Sequence, residues 1–219
     1  MENFNNLVSH QPLWRSLGNS FLYAILTTVI CLLICSIAGY GFEVYHDKGK
    51  DRLFSILLLA MMVPQVATMV PLFQMFTKAK LLNTAIGFML PMISTPFMIM
   101  MFRQNARAFP VDIIEAARID GLSEVMIFFR MFIPTMKSTY AAAAVITFMN
   151  AWNAYLWPKV IMSDNRAMTM PMLIANLITG YVTDYGMLMC GVLFCSIPTM
   201  IVFFVLQKQF TEGITGAVQ

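Results

Sequence analysis

Residues 103–137 read RQNARAFPVDIIEAARIDGLSEVMIFFRMFIPTMK, a charged and patterned stretch set between long apolar runs. A connector of this length inside a short chain is a candidate functional loop. Its pattern predicts two helices. Pro110 and Asp112 open the first, with Glu115 three residues after Asp112 in the arrangement of a capping box. Ile113, Ala116 and Ala117 share one face of that helix, and Asp112, Glu115 and Arg118 share another. Asp120-Gly121 ends it, because glycine accepts the left-handed backbone that closes helices. A second helix starts near Ser123, carries Val125, Phe128, Phe129 and Phe132 in an apolar stripe, and ends or kinks at Pro134. Periodicity alone admits two readings. The hairpin is either a compact knob offering close-approach alanines and Glu115 to a basic partner, or an interfacial hairpin on a membrane surface.

Outward from this stretch the chain is apolar. Hydrophobic residues make up 59% and charged residues 11% of its 219 residues, against about 25% charged in ordinary soluble domains. With a mean hydropathy of +0.72, too little polar surface remains to cover a water-soluble globule, so lipid is the expected solvent. Each spanning helix needs about 20 apolar residues. Five segments qualify: Asn19–Phe42, Leu53–Thr77, Leu81–Phe102, Ser138–Pro158 and Tyr185–Gln207. Pro64, Pro71, Pro91, Pro96 and Pro198 fall within them and are expected to kink packed membrane helices. The runs of small residues, Ala141 to Ala144 and Gly186 with Gly191, suit a helical bundle.

The fourteen basic residues divide nine to five across such a topology, with Lys48, Lys50, Arg52, Arg103, Arg107, Arg118, Arg130, Lys137 and Lys208 on the richer side. The positive-inside bias then places 103–137 and the C-terminus in the cytoplasm and the N-terminus outside. The net charge of +3 is spread without a cationic block, which gives no sign of nucleic-acid binding. Met1 to Gly18 lacks the basic start and apolar core of a signal peptide. Cys31 with Cys35, and Cys190 with Cys195, are read as packing residues, since no His or carboxylate accompanies them. No metal site is expected.

Three further stretches join the loop in a family resemblance. Glu115-Ala116-Ala117, Gly121 four positions on, and Ile133-Pro134 resemble the EAA motif of ABC importer permeases: EAA, three residues, Gly, nine residues, Ile-x-Leu-Pro. Met131 replaces the Ile and Ile133 the Leu. Trp152-Asn153 with Leu156-Trp157-Pro158 is similar to the WN-x-(F/Y)-LWP stretch of carbohydrate-type permeases. Thr169-Met170-Pro171 and Tyr181 to Met189 look like that subfamily's outer loop and last span. Glu212 to Val218 is similar to its GLTAGAVKG ending.

The resemblance implies an all-α membrane protein with the type I ABC importer permease bundle: five predicted spans and a cytoplasmic EAA coupling hairpin. It points to a maltose-permease-like second subunit in a bacterial inner membrane. Such permeases usually have six spans and a cytoplasmic N-terminus. Residues 1–18 are therefore expected to be an extracytoplasmic segment lacking the usual first helix, through a misplaced start, a truncation or a true five-span form. Residues 19–207 form the permease domain, with 103–137 as its coupling loop, and 208–219 a cytoplasmic tail.

The implied partners are a second permease, two ATPase subunits, an extracytoplasmic solute-binding protein and the lipid bilayer. No phosphate-cradling GxxxxGK(S/T) loop is present, so ATP and Mg belong to the ATPase chains and no catalytic residue is expected here. Glu115, Ala116, Ala117, Arg118, Asp120, Gly121 and Pro134 are the ATPase-docking candidates by resemblance. Ala116 and Ala117 seat in a cleft, Glu115 meets a basic residue, Gly121 sets the bend, and Pro134 joins the knob to the fourth span. Gly213, Thr215 and Gly216 are candidates for a C-terminal ATPase contact, against a flexible end. The outer loop from Lys159 to Asp184 is a candidate for binding-protein contact. Asn150, Trp152, Asn153 and Tyr155 are candidates for the solute pathway, although aromatic residues at a span's end also form interface belts.

Rival classes fit less well. A membrane-embedded enzyme would carry ionisable residues within its spans, and Asp112, Glu115, Asp120 and Glu124 suit caps and a docking face better. A channel or secondary transporter would show midplane polar residues or repeats. An amino-acid or peptide ABC permease is the nearest alternative, because the EAA loop is shared.

Overall fold

The computed structural model describes residues 2–45, 47–178 and 184–215, and all regular structure among them is helical. In chain order the helices are α1 (Glu2–His10), α2 (Leu13–Val44), α3 (Lys48–Ala60), α4 (Gln65–Lys78), α5 (Ala85–Met89) and α6 (Pro96–Ala106). Next come α7 (Val111–Ile119), α8 (Glu124–Ile127), a π-helical turn (Phe128–Phe132), α9 (Ile133–Thr135) and α10 (Lys137–Trp152). The last are α11 (Leu156–Ile161), α12 (Met170–Ile178) and α13 (Tyr185–Thr215).

Two of the five predicted spans are single helices long and apolar enough to cross a membrane: α2, with 32 residues, and Tyr185–Val205 of α13. At 1.5 Å per residue α2 extends roughly 48 Å, ample for a hydrocarbon core of about 30 Å. Its pattern inverts that of a soluble helix. Ser16, Ser20, Ala24, Thr27, Cys31 and Cys35 are buried at three- and four-residue spacing, while Leu22, Ile25, Val29, Leu33 and Ile37 face outward. Small residues inside and bulky apolar ones outside suit packing in lipid. The helix begins at Leu13, so most of residues 2–18 is helical, as α1 and the start of α2.

The other three predicted spans are interrupted. The second is α3 and α4, bent by 101° at a short break. Pro64 sits in that break, and the residue before a proline is steered away from helix. In the third, Pro96 starts α6 instead of kinking a longer helix. Thr95 caps it, accepting from the Met98 N–H at 3.4 Å. The fourth stops at Trp152 and restarts as α11 after a turn at 153–155. Pro71 and Pro198 do lie inside helices, as expected.

The chain divides into two compact units, one of Met1–Thr28, Gln65–Met92 and Val145–Val205, the other of Val29–Pro64, Ile93–Ala144 and Leu206–Gln219. In the first, indole N–H groups tie helices to one another. Trp157 Nε1 donates to the Gly87 carbonyl at 3.0 Å, and Trp152 Nε1 to the Cys195 carbonyl at 3.0 Å. Asn83 Oδ1 accepts from the Ser163 and Asp164 N–H groups at 2.7 and 2.9 Å. Asn19 Nδ2 donates to the carbonyls of Arg166 and Met168, both at 2.9 Å. The stretch 163–168 is thus held by side chains distant in sequence. The second unit carries the patterned stretch 103–137.

Candidate functional site

The hairpin in the second unit is built on a left-handed glycine. Gly121 has φ +79°. Its N–H donates to the Arg118 carbonyl and that of Leu122 to the Ala117 carbonyl, both at 3.0 Å, which closes α7 as a Schellman motif. No atom lies near the position of a Cβ on Gly121, so only its backbone conformation demands glycine. Gly121→Val is expected to destabilise the hairpin by about 1–2 kcal/mol. Thermal melts of the purified protein would test this, and an unchanged melting temperature would show the turn to be free of that constraint.

The helix starts differ from the capping-box expectation. The N-cap of α7 is Pro110, without a side-chain cap bond, so Asp112 lies in the first turn and no Asp112–Glu115 box forms. The extended backbone that proline favours starts the helix there. Ser123 does cap α8, accepting from the Met126 N–H at 3.3 Å. Pro134 lacks the N–H that an α-helix would direct to the Arg130 carbonyl. The preceding turn widens to π geometry, with the Ile133 N–H bonded to the Phe128 carbonyl. Pro134 is exposed, and Met136 forms the short turn before α10.

Both helices close on one core: Tyr40, Ala106, Phe109, Ile114, Ala117, Ile127, Phe128, Phe132 and Met136. Tyr40 meets Phe128 and Phe132 at ring-centroid distances of 5.4 and 4.8 Å, and Phe109 meets Phe132 edge-on at 5.6 Å. One expectation changes here. Ala117 is 1% exposed and packs inside the hairpin, so it cannot seat in a partner's cleft. The inward face of α7 is that of Ile114 and Ala117, while Ile113 and Ala116 are exposed. Glu115, Ala116, Asp120 and Gly121 are exposed, as is Ile119 at 86%. Ile119 was not among the sequence candidates. It lies on the face of Glu115 and Ala116, and an isoleucine there is the signal that could have found it.

Arg118 is engaged within the chain. Its Nε donates to Glu124 Oε1 at 2.7 Å, and its guanidinium lies 5.9 Å from the Tyr45 ring centroid. The Tyr45 hydroxyl donates to Glu124 Oε2. A cross-tie therefore spans the Gly121 turn and reaches the residue just after α2. The Arg118 guanidinium foremost, then the Tyr45 hydroxyl, holds the Glu124 carboxyl below its ordinary range, while burial first and Glu124 second push the Tyr45 phenol up. Glu124 is stabilised in its ionised form. The tie is therefore complete above the ordinary carboxyl value of 4.5 and is lost as pH falls below it. Glu124→Gln is expected to raise amide exchange around 118–124 modestly at neutral pH, with the difference from the parent fading below that value. The effect is small because both ends of the pair are half exposed and screened by salt.

The pathway candidates separate. Trp152 is 1% exposed, stacked on Phe148 at 5.8 Å and edge-on to Phe21 at 4.8 Å, so it is core and offers no face to a solute. Asn150, Asn153 and Tyr155 are exposed, with Asn153 Nδ2 bonded to the Met149 carbonyl at 2.9 Å. Gly213 and Thr215 continue the backbone of α13, and Gly216 and Tyr181 lie outside the described residues.

A helical chain organised around this hairpin has the fold of ABC-importer membrane subunits. It superposes with a TM-score of 0.86 on a subunit of a bacterial ABC transporter involved in the import of the acidic polysaccharide alginate, at 20% identity over 95% of this chain and 79% of that one. The MetNI methionine ABC transporter in its inward-facing form gives 0.64 at 18% identity, over 92% and 94%. The chain belongs to the family of binding-protein-dependent transport system inner membrane components, whose pattern matches residues 37–216. It is 45% identical to the lactose transport system permease protein LacG of Rhizobium radiobacter, over 92% of this chain and 74% of that one. It is 36% identical to the arabinooligosaccharides transport system permease protein AraQ of Bacillus subtilis, over 90% and 70%.

Proposed function

We propose that this chain is the membrane subunit of an ATP-driven importer of sugars or oligosaccharides, with the hairpin 111–135 as its ATPase-docking element. The observation that carries the docking reading is the hairpin's construction: an aromatic core stiffens it from within, while Glu115, Ala116 and Ile119 are offered outward. An element that passes a push from an ATPase to a membrane helix has to be stiff and has to join that helix. The run from α8 through the π turn to α9, separated from α10 only by the turn at Met136, supports this. Ala116 allows close approach, Ile119 supplies apolar contact and Glu115 offers a charge to a basic partner group. ATP and Mg are used by the partner chains, a second permease completes the pathway, and a solute-binding protein delivers cargo from outside. Residues 208–219 act as a tail with Gly213, Thr215 and Gly216 near the ATPase, and Asn150, Asn153 and Tyr155 border the pathway.

The cargo class rests on the relatives named for lactose and arabino-oligosaccharides. A permease named for sn-glycerol-3-phosphate is also related, at 28% identity over 99% of this chain. The split of basic residues supports an inner-membrane topology with the hairpin and C-terminus cytoplasmic, residues 1–18 outside, and five crossings, three of them by broken or bent helices.

Cells producing the assembled importer are expected to take up radiolabelled lactose or arabino-oligosaccharide in an ATP-dependent manner. Uptake of amino acids or peptides, and of neither sugar, would transfer the chain to the alternative cargo class. A cysteine placed at Ile119 is expected to react with a membrane-impermeant maleimide only in inside-out vesicles. Equal labelling of right-side-out vesicles would overturn the orientation.

A further inference from the structure

Arg103 lies one turn before the end of α6, and its residue is only 8% exposed. Its Nε meets Glu43 Oε2, near the end of α2, at 3.2 Å, and its Nη2 meets Asp51 Oδ1, in the first turn of α3, at 2.6 Å. The guanidinium also covers the Phe54 ring at 4.2 Å from the centroid. Phe54 in turn packs on Phe42 at 5.5 Å. One side chain thus engages three helices. The rigid fork of arginine makes this possible, whereas lysine offers a single point charge.

Two observations give the cluster a part in coupling. First, α3 has no fully buried residue of its own, and Asp51 and Phe54 fasten it to Arg103 on α6. This helix leads in sequence into the 101° bend before α4. Second, Ala106, one turn beyond Arg103 on α6, belongs with Phe109 to the hairpin's own core. A displacement of the hairpin therefore reaches α6 through packing, and Arg103 is a polar link from α6 to both α2 and α3, while Arg107, just after α6, also meets Glu43 Oε2 at 3.5 Å. Stability alone is a poor reason for such a group, because a buried ion pair often contributes no more than an apolar replacement of equal volume.

We propose that Arg103 is a positioning residue for energy coupling: held by Glu43 and Asp51 and stacked on Phe54, it transmits movement of the docking hairpin to α2 and α3. The inference rests on the docking reading above. The test uses the complete importer in proteoliposomes, reading co-purification of the ATPase, basal ATP hydrolysis and hydrolysis stimulated by the solute-loaded binding protein, with lactose as the solute. Arg103→Met is expected to keep the ATPase bound while the stimulated-to-basal ratio falls by about fivefold or more, the lower end of typical coupling between sites. Arg103→Lys is expected to restore part of the ratio.

Asp51 is half exposed on its side chain, so Asp51→Asn removes one arm with little risk to folding and should give an intermediate ratio at normal abundance. An unchanged ratio in Asp51→Asn, or in Arg103→Met at normal abundance, overturns the proposal. Should Arg103→Met fail to accumulate, Asp51→Asn decides alone. Loss of docking is a separate result: if Glu115→Lys and Ile119→Asp leave co-purification and stimulation intact, the hairpin reading fails whatever Arg103 does.

Discussion

Gly39→Val is expected to remove most of the protein from the membrane fraction. A Cβ on Gly39 would stand 2.6 Å from the Phe102 Cβ and 2.7 Å from the Arg103 backbone nitrogen, with the Phe102 carbonyl carbon at 3.0 Å. Two of these atoms are backbone, so α2 and α6 would have to part, and the Arg103 cluster would be pulled open with them. Overpacking a tight contact by a methyl group costs about 1–3 kcal/mol, and valine adds more bulk at the same place. Set against a total stability of about 5–15 kcal/mol, this is a large fraction. Gly41→Val is the control, because no atom lies within 4 Å of a Cβ there. Abundance by immunoblot and melting in detergent should separate the two variants. If Gly39→Val accumulates and melts like Gly41→Val, the close approach of α2 and α6 is wrong.

Ile119→Asp combined with Ala116→Arg should abolish solute uptake while leaving the permease at normal abundance. Both positions are exposed, so neither substitution disturbs the hairpin core. At a docking surface each would act as a hot-spot change of about 2 kcal/mol, or roughly thirtyfold in affinity. The combination is expected to release the ATPase on purification. Ala117→Leu supplies the contrast. It forces bulk into the core formed with Ile114 and Phe132, and is expected to lower the melting temperature and abundance before it affects docking. Were the exposed pair harmless and Ala117→Leu selectively defective in docking at full stability, the outward face of α7 would have been assigned the wrong way round.

The contrast between Ala116 and Ala117 shows what could be read locally. Apolar residues occupy 113, 114, 116, 117 and 119, so they nearly encircle α7 and its helical phase is poorly marked. The face is chosen by Tyr40, Ala106 and Phe109, which come from other elements. Signals that depend on one residue's backbone were legible: Gly121 takes the left-handed conformation and Ser123 caps the next helix. Prolines were harder. The same ring lies inside α4 at Pro71 and begins α6 at Pro96, and the capping hydroxyl of Thr95 beside Pro96 marks the difference. Trp152 is a pathway candidate by resemblance, yet Phe21 and Phe148 enclose it.

By itself the sequence determined the solvent, the family and the existence of a glycine-hinged helical hairpin. Composition, a spaced motif and one left-handed turn are properties of short stretches, readable without knowing their neighbours. The tertiary structure decided which alanine faces outward and where the apolar runs break. It also made Arg103 a junction of three helices and tied Arg118 to Glu124 and Tyr45. Those outcomes depend on groups far apart in the chain, such as Glu43 and Arg103, whose meeting no local periodicity encodes.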